Sequence, residues 1–434
     1  QEARAAEPFC RALQIRTYRL LPTLPEAMSG CHGLWQKGSK TANTKETTME
    51  QLPIEKFKNI ETPFYYYDTN LLRETLSTIC HETSEHEGYC VHYAVKANAN
   101  PKVLEIVASY GLGADCVSGN EVRAALEAGF PASKIVFAGV AKKDDEILLG
   151  IDNDIFCFNC ESIEELEIIQ QLAARRGKKA RVCFRINPNV GAHTHANITT
   201  GLAENKFGIP MEDMEKVIGL AQDMENIEFV GLHFHIGSQI LEMDDFEALC
   251  HRVNDLQDQL AAKGIEVKNI NVGGGLGIDY VNPDENPVPD FKAFFDTYAK
   301  NMRLRPGQKL HFEPGRAVVG QMGTLISTTI YVKKGTMKEF CIIDAGMTDL
   351  IRPALYDAYH KVENISNPDG ALRRYDVVGP ICESSDVFVK DYEMPETHRG
   401  DLIAIRSAGA YGEIMASRYN CRNLPKGYTT EDLG

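Results

Sequence analysis

The 434-residue sequence has no long hydrophobic run, a single tryptophan and no excess of basic residues. No apolar stretch approaches the roughly 18 residues that a transmembrane helix needs, which argues against a membrane span. The formal net charge of −15 makes nucleic acid or an anionic membrane surface an unfavourable partner. The 12 cysteines are scattered through apolar segments and do not frame short loops, so we expect reduced thiols and a cytoplasmic location.

One cysteine pair, Cys157 and Cys160, has the C-x-x-C spacing that occurs in zinc and redox sites. The pair lies in an apolar run, and no second pair stands in the sequence to complete a zinc site. We therefore expect two buried strand cysteines and no metal.

The first 48 residues differ from the rest because they show no sustained hydrophobic period. They contain Trp35, and the patterned sequence begins shortly after Met49, a plausible natural start. We interpret residues 1–48 as a disordered leader or an expression-derived segment.

Apolar runs and amphipathic stretches alternate through the next 250 residues. Eight runs have the length of buried strands: Val91–Val95, Gly113–Val117, Ile135–Ala138, Ile155–Phe158, Arg181–Ile186, Phe229–Ile236, Ile270–Val272 and Lys309–Glu313. Stretches of helical spacing lie between them, among them Asn120–Ala128, Ser162–Arg175, Met211–Met224 and Phe246–Lys263. This alternation predicts an α/β fold, a (β/α)₈ TIM-type barrel over residues 71–316.

The pattern changes after Arg316. Strand signals separated by turns dominate residues 317–434: Thr324–Val332, Glu339–Ile343, Tyr375–Val378, Ser385–Val389 and Asp401–Ile405. We expect a C-terminal all-β domain of barrel or sandwich type. The segment 49–70, with the strand Tyr65–Tyr67, should join it because no helix follows that strand as a barrel unit requires.

Active sites of such barrels lie at the carboxyl ends of the strands. Polar and glycine residues follow the predicted strands at that end: Lys96, Asp115, Arg185, Asn187, His233, His235, Ser238, Gly273, Gly274, Gly275, Glu313 and Arg316. A lysine, a carboxylate and an arginine converging on one pocket are the groups that pyridoxal phosphate requires. Taken alone, Lys96 could equally be a surface lysine with a buried stem.

The histidines two residues apart, His233 and His235, should share one face of their strand. They could ligate a metal, but no third ligand stands out, and a ring stacked on a planar cofactor suits one of them better. The glycine run Gly273–Gly275 lets backbone N–H groups approach an anion. Its spacing does not match a dinucleotide-binding motif.

From about Leu52 to Leu424 the chain resembles the fold-type III pyridoxal-phosphate decarboxylases, and among them the diaminopimelate decarboxylases most. The matching stretches are Tyr93–Asn98, Gly113–Glu121, His233–Ile240, Asn271–Gly277, Phe312–Arg316, Asp344–Tyr356, Val378–Asp386 and Ser407–Tyr419. The resemblance implies pyridoxal 5′-phosphate as cofactor and decarboxylation of meso-diaminopimelate to L-lysine. It also implies a homodimer whose active sites are shared across the interface.

The same resemblance assigns roles to residues that match the family's motifs. Lys96 would hold the cofactor covalently, His235 would stack on its ring and Glu313 would bind the ring nitrogen. Phosphate contacts would come from a set of small and polar residues: Ser238, Gly273, Gly274, Gly275, Gly315, Arg316 and Tyr411. Substrate contacts would come from Arg316, Arg352, Tyr356, Glu383 and Tyr411. Cys382 would be the proton donor, supplied by the partner subunit.

Two other functions remain open on the sequence. An ornithine or arginine decarboxylase of the same fold is one, although ornithine has no distal carboxylate to occupy the additional Arg352. A non-catalytic, decarboxylase-like binding protein is the other, and the presence of Lys96, Glu313 and Cys382 argues against it. We also expect the segment Val190–Leu202, with His193 and His195, to act as a mobile lid.

Overall fold

The computed structural model describes residues 52–190 and 206–434, and it contains a closed barrel of eight parallel strands. The strands are β2 (Tyr89–Ala94), β3 (Gly113–Cys116), β4 (Ile135–Phe137), β5 (Cys157–Cys160), β6 (Ala180–Arg185), β7 (Ile227–His233), β8 (Asn269–Asn271) and β9 (Lys309–Phe312). The barrel closes because β2 pairs with β9 as well as with β3. The predicted fold class is confirmed.

Helices cover the outside of the barrel. They are α2 (Thr69–Ser84), α3 (Pro101–Ser109), α4 (Gly119–Glu127), α5 (Asp144–Asp152), α6 (Ile163–Arg176), α7 (Met214–Asp223), α8 (Met243–Ala262) and α9 (Phe291–Asn301). Local sequence fixes several ends: the hydroxyls of Ser118 and Ser162 accept N-terminal N–H groups of α4 and α6. Left-handed Gly177 (φ 62°) ends α6. In the part of the chain described, no helix is long and apolar enough to cross a membrane.

Aromatic packing outside the barrel orients the last strand. The Phe312 ring lies among Phe294, Phe295 and Tyr298, with centroids 5.7, 5.0 and 5.2 Å away. Such edge contacts add to the free energy of burying the rings. Because side chains alternate along a strand, a Phe312 anchored outward leaves Glu313 directed into the barrel.

A second sheet is built largely from the C-terminal part of the chain. Its strands are β1 (Phe64–Tyr67), β10 (Gly323–Lys334), β11 (Glu339–Ile343), β12 (Val362–Asn364), β13 (Leu372–Val378), β14 (Val387–Pro395), β15 (Leu402–Ile405) and β16 (Lys426–Thr429). β1 pairs antiparallel with β10 and parallel with β16. The expectation that no helix follows this strand is wrong, because α2 begins at Thr69. The sequence missed β12 and β16, which have only three and four residues and lack a strong alternating pattern.

The two sheets are joined closely at the site end of the barrel. A Cβ on Gly409 would lie 1.9 Å from the carbonyl oxygen of Val319, so only glycine fits there. The Gly409 carbonyl accepts from Asn98 Nδ2 at 2.9 Å, and the Tyr411 N–H donates to the Ala97 carbonyl at 2.8 Å. These contacts place Tyr411 beside the end of β2. The described part of the chain also contains the short α-helices α1 (Ile54–Phe57), α10 (Arg316–Val319) and α11 (Arg352–Tyr356).

The Cys157–Cys160 pair lies within β5, and both side chains are buried and free, as expected for strand cysteines. The predicted leader, residues 1–48, lies outside the described residues, as does almost all of the predicted lid with His193 and His195.

Candidate active site

A cavity of about 310 Å³ opens at the carboxyl ends of the barrel strands. Many of the predicted site residues line it: Lys96, Asp115, Arg185, His233, His235, Ser238, Gly274, Gly275, Glu313, Gly315, Arg316 and Tyr411. They come from seven segments of the chain. Six of these lie at the carboxyl ends of parallel barrel strands, which meet at one rim, and Tyr411 comes from the C-terminal part of the chain.

Lys96 lies in a single turn of 3₁₀-helix directly after β2, which directs its amine over the cavity. Its Nζ donates to Asp115 Oδ2 at 2.7 Å; the lysine side chain is 40% exposed, and Asp115 is fully buried. Burial lowers the pKa of Lys96, but the carboxylate of Asp115 and the nearby Tyr411 and Glu313 outweigh it and raise that pKa overall. The amine is therefore held charged and oriented by Asp115.

Glu313 is a buried carboxylate at the floor of the cavity, and it has three hydrogen-bonding partners. His233 Nε2 lies 3.1 Å from its Oε2, and Asn271 Nδ2 and Asn159 Nδ2 donate to its Oε1 at 2.6 and 3.2 Å. Burial opposes ionisation, but His233 and then Lys96 and Asn271 hold the pKa of Glu313 well below its usual range. Glu313 is therefore an ionised carboxylate in a buried position.

The two histidines face the same cavity but have different surroundings. His233 is bound to Glu313, and its Nδ1 is buried without a protein partner. Burial, followed by the charges of Arg185 and Lys96, holds the pKa of His235 well below its usual value, so its ring is neutral. In the described ranges no group of three potential ligands could hold a metal ion.

The glycine run after β8 forms one wall of the cavity. Gly273 and Gly275 have positive φ angles of 69° and 112°. A Cβ on Gly274 would lie 2.2 Å from the carbonyl oxygen of Glu313. Opposite this wall, Arg316 Nη2 donates to Ser238 Oγ at 3.1 Å. A bare backbone beside a hydroxyl and a guanidinium is suited to a phosphate group.

Arg316 also contacts a residue that the sequence did not single out. Its Nη1 donates to the hydroxyl of Tyr280 at 2.6 Å, and Arg352 Nη1 donates to the same oxygen at 2.8 Å. Tyr356 is half-buried at the end of α11 and near enough to Arg316 to help raise the pKa of that guanidinium. The predicted substrate residues Arg316, Arg352 and Tyr356 thus lie together beside the cavity.

Cys382 and Glu383 do not reach this cavity within one chain. Both are exposed in the turn before β14, where Glu383 Oε1 accepts from the Tyr419 hydroxyl at 2.6 Å. The Cys382 N–H donates to Asn420 Oδ1 at 3.3 Å. Neither side chain is among the residues that line the cavity.

Four residues around the site were missed by the sequence analysis: Asn159, Asn271, Tyr280 and His360. Asn159 and Asn271 carried a usable signal, because each is an amide in a buried barrel strand. Tyr280 and His360 had none, since each lies in a loop and outside the predicted strand ends that the analysis used.

Glu121, in the first turn of α4, makes a pH-dependent contribution to the stability of the folded protein. It accepts the Val117 N–H at 2.7 Å, and burial raises its pKa to about 7. The folded state therefore binds this proton more tightly than the unfolded chain, whose glutamates titrate near about 4.3. The contribution of Glu121 to the free energy of unfolding is therefore complete below about pH 4, and it is lost as the pH rises through about 7.

We expect the substitution Glu121→Gln to raise the free energy of unfolding, relative to that of the unmodified protein, by more at pH 8 than at pH 5. The difference should be about 1–2 kcal/mol, allowing for solvent screening of a half-buried side chain. Thermal unfolding at both pH values measures it, with Glu127→Gln on the exposed face of the same helix as the control. Equal pH dependence in the two variants would contradict the assignment.

The donor set of the cavity fits pyridoxal phosphate. An amine on Lys96, an ionised carboxylate on Glu313, a neutral imidazole on His235 and a glycine wall near Arg316 supply each contact that the cofactor needs. The barrel, its second sheet and this cavity define a pyridoxal-phosphate enzyme.

Comparisons with known proteins agree with this class. The family described as pyridoxal-dependent decarboxylase, pyridoxal binding domain, matches residues 73–320. The chain is 67% identical over 381 residues to diaminopimelate decarboxylase of Bacteroides thetaiotaomicron, covering 88% of this chain and 98% of the relative.

Solved structures give the same result. Diaminopimelate decarboxylase from Helicobacter pylori complexed with L-lysine superimposes with a TM-score of 0.82 at 38% identity, covering 87% and 94% of the two chains. The enzyme from M. jannaschii in co-complex with L-lysine gives 0.80 at 37% identity, covering 87% and 89%. The chain belongs to the diaminopimelate decarboxylase family.

Proposed function

We propose that the protein decarboxylates meso-2,6-diaminopimelate to L-lysine and CO₂, the last step of lysine biosynthesis, with pyridoxal 5′-phosphate as cofactor. The observation that carries the substrate assignment is the pair of buried guanidinium groups, Arg316 and Arg352, beside the cavity that contains Lys96. A substrate with a carboxylate at each end needs such a binding group for the end that does not react.

Two residues would attach the cofactor and set the charge of its ring. Lys96 supplies the amine for covalent attachment, and Asp115 orients it. Bound pyridoxal phosphate supplies a ring that accepts the electron pair left when the carboxylate departs as CO₂. Glu313 would keep a proton on the ring nitrogen, because an ionised carboxylate favours the charged form of its partner.

The remaining cofactor contacts would hold the ring and its phosphate in place. His235 would stack on the ring face. Ser238, Gly273–Gly275, Gly315 and Arg316 would bind the phosphate, and Tyr411 would contact phosphate and substrate. Ser238, Gly274, Gly275, Gly315 and Arg316 line the same cavity, which supports this assignment.

Substrate recognition and protonation would use both subunits of a homodimer. Arg316, Arg352 and Tyr356 would bind the carboxylate that is kept, and Glu383 of the partner subunit would bind the neighbouring ammonium group. Cys382 of the partner subunit would donate the proton that replaces CO₂ at the reacting carbon. The exposed position of Cys382 and Glu383, away from the cavity of their own chain, supports a shared site.

We also propose a cytoplasmic location. Ten cysteines in the described ranges are free, as is usual in a reducing compartment.

Product formation tests the proposed function. The cofactor-loaded protein is incubated separately with meso-diaminopimelate, L-ornithine and L-arginine, and CO₂ and the amine product are followed. We expect L-lysine from diaminopimelate alone, because the other substrates have no distal carboxylate for Arg352. Putrescine or agmatine as the main product would keep the cofactor but overturn the substrate. No product from any of them would favour a binding protein.

A further inference from the structure

Two buried cationic groups meet at one phenolic oxygen beside the cavity. Arg316 and Arg352 are 6% and 5% exposed, and both donate to the hydroxyl of Tyr280. In the described part of the chain, neither arginine forms an ion pair with an aspartate or a glutamate. Burial lowers the pKa of Arg352, and the nearby charge of Arg316 lowers it further. Two buried like charges are unfavourable unless hydrogen-bonding dipoles or a bound anion stabilise them.

The hydroxyl of Tyr280 can act on a third group. A guanidinium group only donates hydrogen bonds, so the Tyr280 oxygen accepts both and uses both of its lone pairs. Its own proton is then left to donate to an acceptor. The ring of Tyr280 also lies against both guanidinium groups, 5.9 Å from that of Arg316 and 4.9 Å from that of Arg352.

His360 fixes the remaining N–H of the same Arg352 nitrogen. Arg352 Nη1 donates to His360 Nε2 at 2.9 Å, and His360 Nδ1 lies 2.9 Å from the Arg406 carbonyl, which can only accept. Nδ1 therefore carries the hydrogen and Nε2 the lone pair, so the imidazole is neutral. Burial and then Arg352 lower the pKa of His360 to about 3, in agreement.

The two contacts determine which edge of Arg352 is left for a ligand. Both N–H bonds of Nη1 are used, one by Tyr280 and one by His360. The Nε and Nη2 groups of Arg352 have no hydrogen-bond partner in the ranges 52–190 and 206–434. This edge presents two parallel N–H bonds, the geometry that pairs with a carboxylate.

The loop that carries Tyr280 is held on both sides. Asp279 Oδ1 accepts the N–H groups of Val281 and Asn282 at 2.9 and 2.8 Å. Further along, Asp284 pairs with Arg406 at 2.6 Å, which ties the loop to the second sheet. The phenol is therefore fixed in position between the two arginines.

We propose that Tyr280 is a positioning and specificity residue for the carboxylate that the substrate keeps. Its oxygen spaces the two guanidinium groups and orients the free edge of Arg352, and its proton makes a third hydrogen bond to that carboxylate. This inference rests on the proposed function, in which Arg316 and Arg352 bind the non-reacting end of diaminopimelate. It adds the residue that organises them.

Ligand binding to the cofactor-loaded enzyme tests the proposal without turnover. L-Lysine has the kept carboxylate and cadaverine lacks it, so calorimetric titration with each separates carboxylate recognition from the rest of the site. Tyr280→Phe should raise the Kd for L-lysine about 10- to 100-fold, the loss of hydrogen bonds to charged groups, and leave that for cadaverine unchanged. The KM for diaminopimelate should rise similarly, with kcat within about threefold.

Tyr331→Phe, at a 58% exposed position in β10, is the matched control and should change neither ligand's affinity. Should Tyr280→Phe fail to fold, His360→Phe removes the acceptor on the same Arg352 nitrogen and should give the same selective loss. Equal weakening of both ligands, or an unchanged Kd for L-lysine, would overturn the proposal. An unmodified enzyme that neither binds L-lysine nor consumes diaminopimelate would overturn the proposed function and this inference together.

Discussion

Lys96→Ala should lower kcat for diaminopimelate by about 10⁴-fold, the largest effect that we expect from one substitution. The amine that attaches the cofactor is lost, and among the described residues no other lysine lines the cavity. Borohydride treatment of the holoenzyme followed by mass spectrometry of its peptides should find the cofactor fixed on Lys96, and on no lysine in the variant.

Lys96→Arg separates attachment from structure. Arginine can keep the ion pair with buried Asp115 but cannot attach the cofactor, so it should be as inactive as Lys96→Ala yet melt at the higher temperature of the two. Lys300→Ala, on the exposed face of α9, is the control for activity. Substantial activity in Lys96→Arg would contradict the role of this amine.

Cys382→Ala should lower kcat by about 10³-fold, as removal of a proton donor does. The effect should fall on L-lysine formation, with cofactor content unchanged, because Cys382 is proposed to donate a proton and to make no contact that holds the cofactor. Cys421→Ala, another exposed cysteine, is the matched control and should retain activity.

Mixing the two inactive variants tests whether the sites are shared. After random exchange of subunits, half of the dimers contain one chain of each kind, and each has one site with Lys96 from one chain and Cys382 from the other. Activity should return to roughly a quarter of the unmodified level. No recovery, with exchange verified by mass, would mean that each chain supplies its own proton donor.

Glu313 shows which properties of a site residue the local sequence can predict and which it cannot. Its position at a strand end and its orientation into the barrel follow from the alternation in Lys309–Phe312 and from outward packing of Phe312. Its ionisation does not follow, because its hydrogen-bonding partners come from three other strands: Asn159, His233 and Asn271.

The barrel and the residues at its rim were determined by the sequence alone. Strand and helix periods are local properties, and parallel strands place every carboxyl end at the same rim. That is why the order of strands and polar residues along the chain suffices to assign Lys96, His235, Glu313 and Arg316 to one pocket.

Only the tertiary structure decided how distant segments meet at that pocket. The bridge from Arg316 through Tyr280 to Arg352 joins α10 and the loop that carries Tyr280 to α11, and the approach of Gly409 to Val319 brings Tyr411 over the barrel. These contacts depend on registers and distances between elements far apart in the chain. The periodicity of a single segment carries no information about them.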